Sequence, residues 1–341
     1  MKEKIYFNAI NILYKPYQLS IFKLYQKLGS FESVFNELKI KNKLDIEKEY
    51  KKVEDLNIKI ITYNEKEYPI KLKNIDEPPL GFYILGNKDL LNNDNLFIAI
   101  VGTRKATNYG LNISQKFSKE LASLGIIIVS GLAFGIDEYA HKGAVEINGK
   151  TIGVVGEGID IVLRSTKRKL VEKILENGGA IISEYSLSTP AMPYHFPLRN
   201  RIIAGLSDGI TVIEAPIDSG ALITANYGLK YGKEIFVVPG EITNKNYQGS
   251  HNLIKQGAKL ITEIEDILVE FNFDVDLRNK IKKLKLSPKE EIIFEILEKG
   301  EKTIEELKAE TNIPIQELLV VLTNMEVKGL IKNKGGKFFL A

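Results

Sequence analysis

Apolar residues in the first sixty positions recur at intervals of three, four and seven: Ile10, Leu13, Leu24, Leu28, Val34, Phe35 and Leu38. That period predicts amphipathic helices, with Gly29-Ser30 separating two of them, and a small helical domain over residues 1–61. Next come Tyr68-Pro69 and Asp76-Glu77-Pro78-Pro79. Proline fixes φ and lacks an N–H, so this passage reads as an extended connector. From residue 96 the pattern changes to short β-branched runs at 97–101, 126–129, 151–155, 180–182, 210–213 and 235–238, each followed within three residues by Gly, Ser or Pro and most leading into an amphipathic segment. Such alternation needs crossover connections, and it predicts an α/β protein with a doubly wound, mostly parallel sheet over 62–275. Folds of this kind bind ligands at the carboxyl ends of their strands, where Gly102, Gly131, Gly156 and Gly240 fall. Residues 279–285 read as a Lys-rich linker. Beyond it, Ser287-Pro288-Lys289-Glu290 starts a capped helix, helices are expected at 303–311 and 314–328, and a hairpin turns at Gly335-Gly336. Helix, helix, helix, hairpin is the order of a winged helix, predicted over 286–341.

Composition narrows the chemistry. The 341 residues contain no Cys and three His, His141, His195 and His251, which excludes disulfides and thiolate nucleophiles and leaves little for a metal site. No metal or cofactor is expected. No run of 18 apolar residues occurs, and the chain starts Met1-Lys2-Glu3-Lys4, so a cytoplasmic protein without membrane contact is expected. The net charge is +3, with 12 basic and 8 acidic residues in 1–61, and 8 basic and 10 acidic in 286–341. A polyanion site must therefore be a local focus of charge.

Arginine marks that focus. Of 47 basic residues six are Arg, and Arg104, Arg199 and Arg201 sit in two segments read as loops near glycine. A guanidinium grips phosphate bidentately where Lys offers a flexible point charge, so arginine reserved for such loops points to anion recognition. Gly102-Thr103-Arg104-Lys105 follows the first strand of the alternating pattern, with a helix expected from Tyr109 or Gly110. It lacks a dinucleotide fingerprint but offers backbone N–H groups, a hydroxyl and two cations at a helix start. Ser130-Gly131-Leu132-Ala133-Phe134-Gly135 follows the second strand, and its small residues allow a phosphate nest or the approach of another backbone. Asp137 and His141 lie one turn apart, and a capping Asp with His141 turned toward it is the expected arrangement. His195-Phe196-Pro197-Leu198-Arg199-Asn200-Arg201, preceded by Tyr194, interleaves aromatics with cations at a helix start, the pairing that single-stranded nucleic acid requires. Ser219-Gly220 opens a further helix that carries Thr224, with Ser219 as its cap.

Taken in order, these segments resemble the DNA-processing protein A (DprA/Smf) family. The resemblance spans residues 60–265 and includes Tyr68-Pro69, 76–79, 98–110, 130–141, 182–185, 193–208, 219–225, Val238-Pro239-Gly240 and 250–258. It implies an extended Rossmann fold, a pocket across which single-stranded DNA lies with Arg104 and Arg201 contributing, delivery of that DNA to RecA in natural transformation, and a homodimer formed through the Rossmann domain. The N-terminal helices are similar to the family's sterile-alpha-motif-like domain. Three features depart from the pattern: residues 156–169 lack a Tyr-Pro pair, Phe134 stands where a polar residue is common, and the tail is net acidic. Its third helix carries Gln316 and Glu317 and no Arg, which favours a protein-facing or structural role over groove reading.

The residues thus read as a non-enzymatic single-stranded DNA binder of low sequence preference. Charge would come from Arg104, Lys105, Arg199 and Arg201, phosphate seats from Gly102, Thr103, Ser130, Gly131, Gly135, Ser219, Gly220 and Thr224, and the remaining contacts from His195, Asn200 and a stacking surface of Phe134, Tyr194 or Phe196. The competing class is a nucleotide phosphoribohydrolase of the lysine-decarboxylase-like group, whose Pro-Gly-Gly-x-Gly-Thr segment has no counterpart in Glu214-Ala215-Pro216-Ile217-Asp218-Ser219-Gly220.

Overall fold

The computed structural model describes residues 1–14, 19–39, 44–92, 94–273, 287–327 and 330–340; the linker expected at 279–285 lies outside them. The chain forms two compact units, Met1–Ile267 and Leu268–Ala341.

Nine strands of the first unit, β1 (Lys59–Thr62), β2 (Gly81–Gly86), β3 (Phe97–Val101), β4 (Ile127–Ser130), β5 (Thr151–Val155), β6 (Ala180–Ser183), β7 (Gly209–Val212), β8 (Glu234–Val237) and β9 (Lys259–Leu260), make one sheet in the order β1-β2-β6-β5-β4-β3-β7-β8-β9. β3 to β8 are the six predicted runs, with ends shifted by at most one residue. Every pair from β6 to β9 is parallel, while β1–β2 and β2–β6 are antiparallel. β3 to β7 are buried along their whole length, as expected of strands covered on both faces.

The helices of this unit are α1 (Lys2–Tyr14), α2 (Leu19–Leu28), α3 (Phe31–Glu37), α4 (Ile46–Asp55), α5 (Ile70–Lys73), α6 (Asn108–Ser123), α7 (Ile136–Glu146), α8 (Ile159–Val162), α9 (Arg168–Glu176), α10 (His195–Leu206), α11 (Gly220–Lys230), α12 (Gln248–Lys255) and α13 (Glu265–Leu268). One face of the sheet, with Ala99, Val101, Val129, Val154 and Val212, packs against Ile202, Ile203 and Leu206 of α10 and Ala221 and Ala225 of α11. The N-terminal helices share a core with the sheet: Phe7, Ile10, Phe31 and Val34 pack with Tyr83, Ile174 and Ile181. Two polar contacts fix that union, Tyr83 OH donating to Asn8 Oδ1 at 2.7 Å and Asn11 Nδ2 donating to the Glu184 carbonyl at 2.8 Å. Because β1 pairs with β2, the boundary expected at residue 61 falls inside a strand, and the expected connector contains the short helix α5.

In the second unit, Ser287 and Thr303 close capping boxes on helices Pro288–Leu297 and Ile304–Thr311, followed by helix Ile315–Val327 and a hairpin of Ile331–Lys334 with Lys337–Leu340. Strand Lys302–Thr303 adds a third edge to that hairpin. Ile293, Phe294, Leu307, Leu318, Leu322, Met325 and Phe338 fill its core.

His141 corrects one expectation. It does not turn to Asp137: its Nδ1 lies 2.8 Å from Thr151 Oγ1, whose proton goes to the Ile128 carbonyl, so the ring braces α7 against the sheet. Burial lowers the pKa of this imidazole from 6.5 to about 3, helped by the charges of Lys167 and Arg199. The folded state keeps His141 neutral while the unfolded chain protonates it, so its contribution is complete above pH 6.5 and is lost as pH falls toward 3. Between pH 6.5 and 5 the loss should reach about 2 kcal/mol, at about 1.4 kcal/mol per unit. Urea unfolding at several pH values checks this, since His141→Gln should show a shallower acid loss than wild type; equal slopes would exclude the imidazole as the titrating group.

Candidate functional site

At the carboxyl ends of β3 to β7 the loops interlock. Thr103 N–H donates to the Glu214 carbonyl at 2.7 Å, and Ile136 N–H donates to the Thr103 carbonyl at 3.3 Å. A Cβ on Gly102 would stand 2.5 Å from Ile136 Cγ1, so this glycine admits α7 and not a ligand. Gly135 has φ +81°, and a Cβ there would meet the Thr103 carbonyl at 2.5 Å, which lets the loops after β3 and β4 touch. Thr107 caps α6, and the carboxylate of Glu214, fully buried at the end of β7, accepts from the Thr107 N–H at 3.1 Å, the Thr107 hydroxyl at 2.8 Å and Asn246 Nδ2 at 2.5 Å. The Arg104 loop is therefore held rigidly from below.

Arg104 is exposed, and its guanidinium lies 4.8 Å from the centroid of Phe196. In the loop after β4, Phe134 is 56% exposed, with Lys167 Nζ 5.3 Å from its centroid. Tyr194, 48% exposed, meets His195 edge-on at 4.6 Å. Two cation–aromatic pairs therefore flank the loops at this edge of the sheet, and the space between them is termed the crater. Burial lowers the Lys167 pKa foremost; Glu157 and Asp137 oppose this, and Arg199 and Arg104 add to it. Arg104, Lys167 and Arg199 outnumber the two carboxylates that act on them, Glu157 and Asp137, so the cluster keeps a net positive charge for a phosphate.

Several predicted contacts lie beneath the surface. Arg199 is 4% exposed and donates from Nη1 to the carbonyls of Gly131, at 2.7 Å, and Val154; its Nε donates to Asn200 Oδ1 at 3.2 Å. A Cβ on Gly131 would fall 2.6 Å from both Arg199 Nη2 and Asp137 Oδ2, so that glycine makes room for the charged pair. Asp137 accepts the Gly131 N–H at 3.1 Å, tying the β4 loop to the first turn of α7. Burial raises its pKa, against the pull of Arg199 and of the Ala133 and Gly131 amides. Arg199 thus reaches the crater by its field and not by contact.

Arg201 departs furthest from expectation. It lies inside α10 at 0% exposure, and its Nη2 donates to both Glu184 oxygens at 2.6 Å. A phosphate has no access to it: α10 is buried from Arg199 to Leu206, so the helix start expected to face a ligand turns these arginines into the core. His195 and Ser130 are likewise internal, the first bonded through Nδ1 to the Gly156 carbonyl at 2.9 Å and stacked on Tyr185, the second donating to the Ile100 carbonyl at 2.6 Å. Asn200 Nδ2 donates to the Gly220 carbonyl at 3.1 Å, linking α10 to α11, and Thr224 is buried on α11. Ser219 caps α11 as expected, accepting from Ala221 N–H, and Gly220 is exposed with open space above it. Lys105 is exposed. Lys167 escaped the sequence reading; the run Lys167-Arg168-Lys169 after the third core strand was its signal.

Fold and site together define a Rossmann-like α/β protein with a cluster of cations and aromatic rings at the carboxyl edge of its sheet. The chain belongs to the DNA recombination-mediator protein A family, whose sequence model matches residues 59–272. It is 41% identical over 221 residues to protein Smf of Escherichia coli K12, an alignment that covers 65% of this chain and 59% of that protein. It is also similar to the crystal structure of DNA processing protein A from Streptococcus pneumoniae, with TM-score 0.67 and 32% identity over 79% of this chain and 98% of the other. DNA processing protein A from Helicobacter pylori, described for its single-stranded DNA binding mode, superposes with TM-score 0.56 and 30% identity over 62% of this chain and 95% of the other. No helix among the described residues is long and apolar enough to cross a membrane.

Proposed function

We propose that the Met1–Ile267 unit binds single-stranded DNA in the crater and delivers it to a recombinase of the RecA class, acting as a homodimer in DNA uptake and recombination. The observation that carries this reading is the pair of exposed or half-buried cations, Arg104 and Lys167, each set over an aromatic ring, Phe196 and Phe134. Cations hold phosphates and aromatic faces stack bases whatever their identity, so binding has low sequence preference. The relatives support it: the H. pylori protein is described as binding single-stranded DNA, and two others are named for DNA processing. Lys167 takes the contact role expected of Arg201.

Delivery requires a grip on the backbone that leaves bases available for pairing. Catalytic amounts of the chain should therefore speed RecA filament growth on DNA already coated with single-strand-binding protein, and Arg104→Ala with Lys167→Ala should remove the effect. Filament growth no faster with the wild-type chain than without it would end the loader role and leave the DNA-binding claim standing.

A further inference from the structure

We propose a second base-stacking subsite, built on Tyr109 with Lys105 and Lys245, that takes the nucleotides leaving the crater toward the β7–β8 side of the sheet. It rests on the reading above that the crater holds single-stranded DNA.

The sheet reverses its strand order between β3 and β7, and the loop after β3 stands at that divide. Crater groups Phe134, Lys167 and Phe196 follow β4, β5 and β6, on one side of it. Arg104 leans to that side, onto Phe196. The next residue belongs to the other side: the Lys105 carbonyl accepts Asn246 Nδ2 at 3.0 Å, from the turn beyond β8. Four residues on, in the first turn of α6, Tyr109 is 51% exposed, with its ring edge-on to Tyr247 at 6.4 Å and its hydroxyl 3.5 Å from the Pro239 carbonyl.

Tyr109 is exposed on a support held by buried hydrogen bonds. Tyr247 is 2% exposed, donates its hydroxyl to Glu214 at 3.1 Å and stacks on His251. The same Glu214 carboxylate holds Thr107, at the cap of α6, and Asn246. One buried carboxylate therefore fixes the helix that carries the ring, the ring behind it and the loop beside it. A preoriented aromatic face loses little freedom when a base stacks on it. Lys105 and Lys245 are exposed and form no ion pair among the described residues, which leaves two cations for phosphate. The carboxylate nearest in sequence is Glu241, four residues before Lys245; it is exposed and accepts the Thr243 hydroxyl at 2.8 Å.

β5 and β8 stand four strand positions apart, about 19 Å at the usual spacing. A short oligonucleotide fills the crater alone, and a longer one reaches Tyr109. Titration of the full chain with oligothymidylates of about four and about twelve nucleotides separates the two subsites. Tyr109→Ala should weaken the longer ligand about tenfold and leave the shorter unchanged, while Tyr109→Phe binds both as wild type does. Arg104→Ala should weaken both lengths.

Wild-type affinity of Tyr109→Ala for the longer ligand, or equal losses at both lengths, overturns the second subsite while Arg104→Ala still reports the crater. No loss at either length in Arg104→Ala overturns the crater reading instead. Melting midpoints accompany each titration. Should Tyr109→Ala melt early, Lys245→Ala, on an exposed turn, must reproduce the length-dependent loss, and its failure to do so counts against the subsite.

Discussion

Replacing Arg201 by alanine should destabilise the Met1–Ile267 unit by about 3–5 kcal/mol, because it leaves the Glu184 carboxylate charged and buried at 4% exposure. The penalty belongs to the abandoned partner. Arg201→Met combined with Glu184→Leu, which removes both charges and keeps the volume, should recover most of it. Urea midpoints of the two single variants and the double give the comparison. At a temperature where it remains folded, the double variant should bind single-stranded DNA within a few-fold of wild type. An Arg201→Ala protein as stable as wild type yet weakened in DNA binding would mean that this guanidinium reaches the ligand after all.

Arg104→Ala with Lys167→Ala should have the opposite profile, with stability preserved and binding lost. Arg104 is exposed, and the Lys167 ammonium already bears a desolvation penalty, so neither side chain holds the fold together. Each phosphate contact on a single strand releases counterion with a slope near −0.7 in log affinity against log salt. The double variant should therefore bind more than tenfold more weakly and flatten that slope by about 1.4. Unchanged affinity and slope in a folded double variant would remove both residues from the interface.

The six core strands were legible because burial on both faces makes them nearly continuous apolar runs between glycines. β1 and β2 were not. β1 is four residues beginning with an exposed Lys59, and β2 follows two prolines that hid its register. β9, two residues long, has no periodicity to detect. Glycine positions marked the loops of the site well, and Ser219 as a cap was visible in its side-chain type. Side-chain direction was not visible. α10 is buried on nearly all sides, so helical period cannot tell an outward arginine from an inward one, and the carboxylate that claims Arg201 lies 17 residues earlier at the end of β6. Lys167 was lost among abundant lysines by a reading that weighted the rare arginines.

A grip on phosphates and bases together requires a flexible single strand. The most direct test of that grip is competition of single- against double-stranded oligonucleotides of equal length for the wild-type chain across a salt series. Clear preference for the single strand is expected at every salt concentration, with log affinity falling linearly as log salt rises. Equal or tighter binding of duplex, or single-strand affinity indifferent to salt, would contradict it.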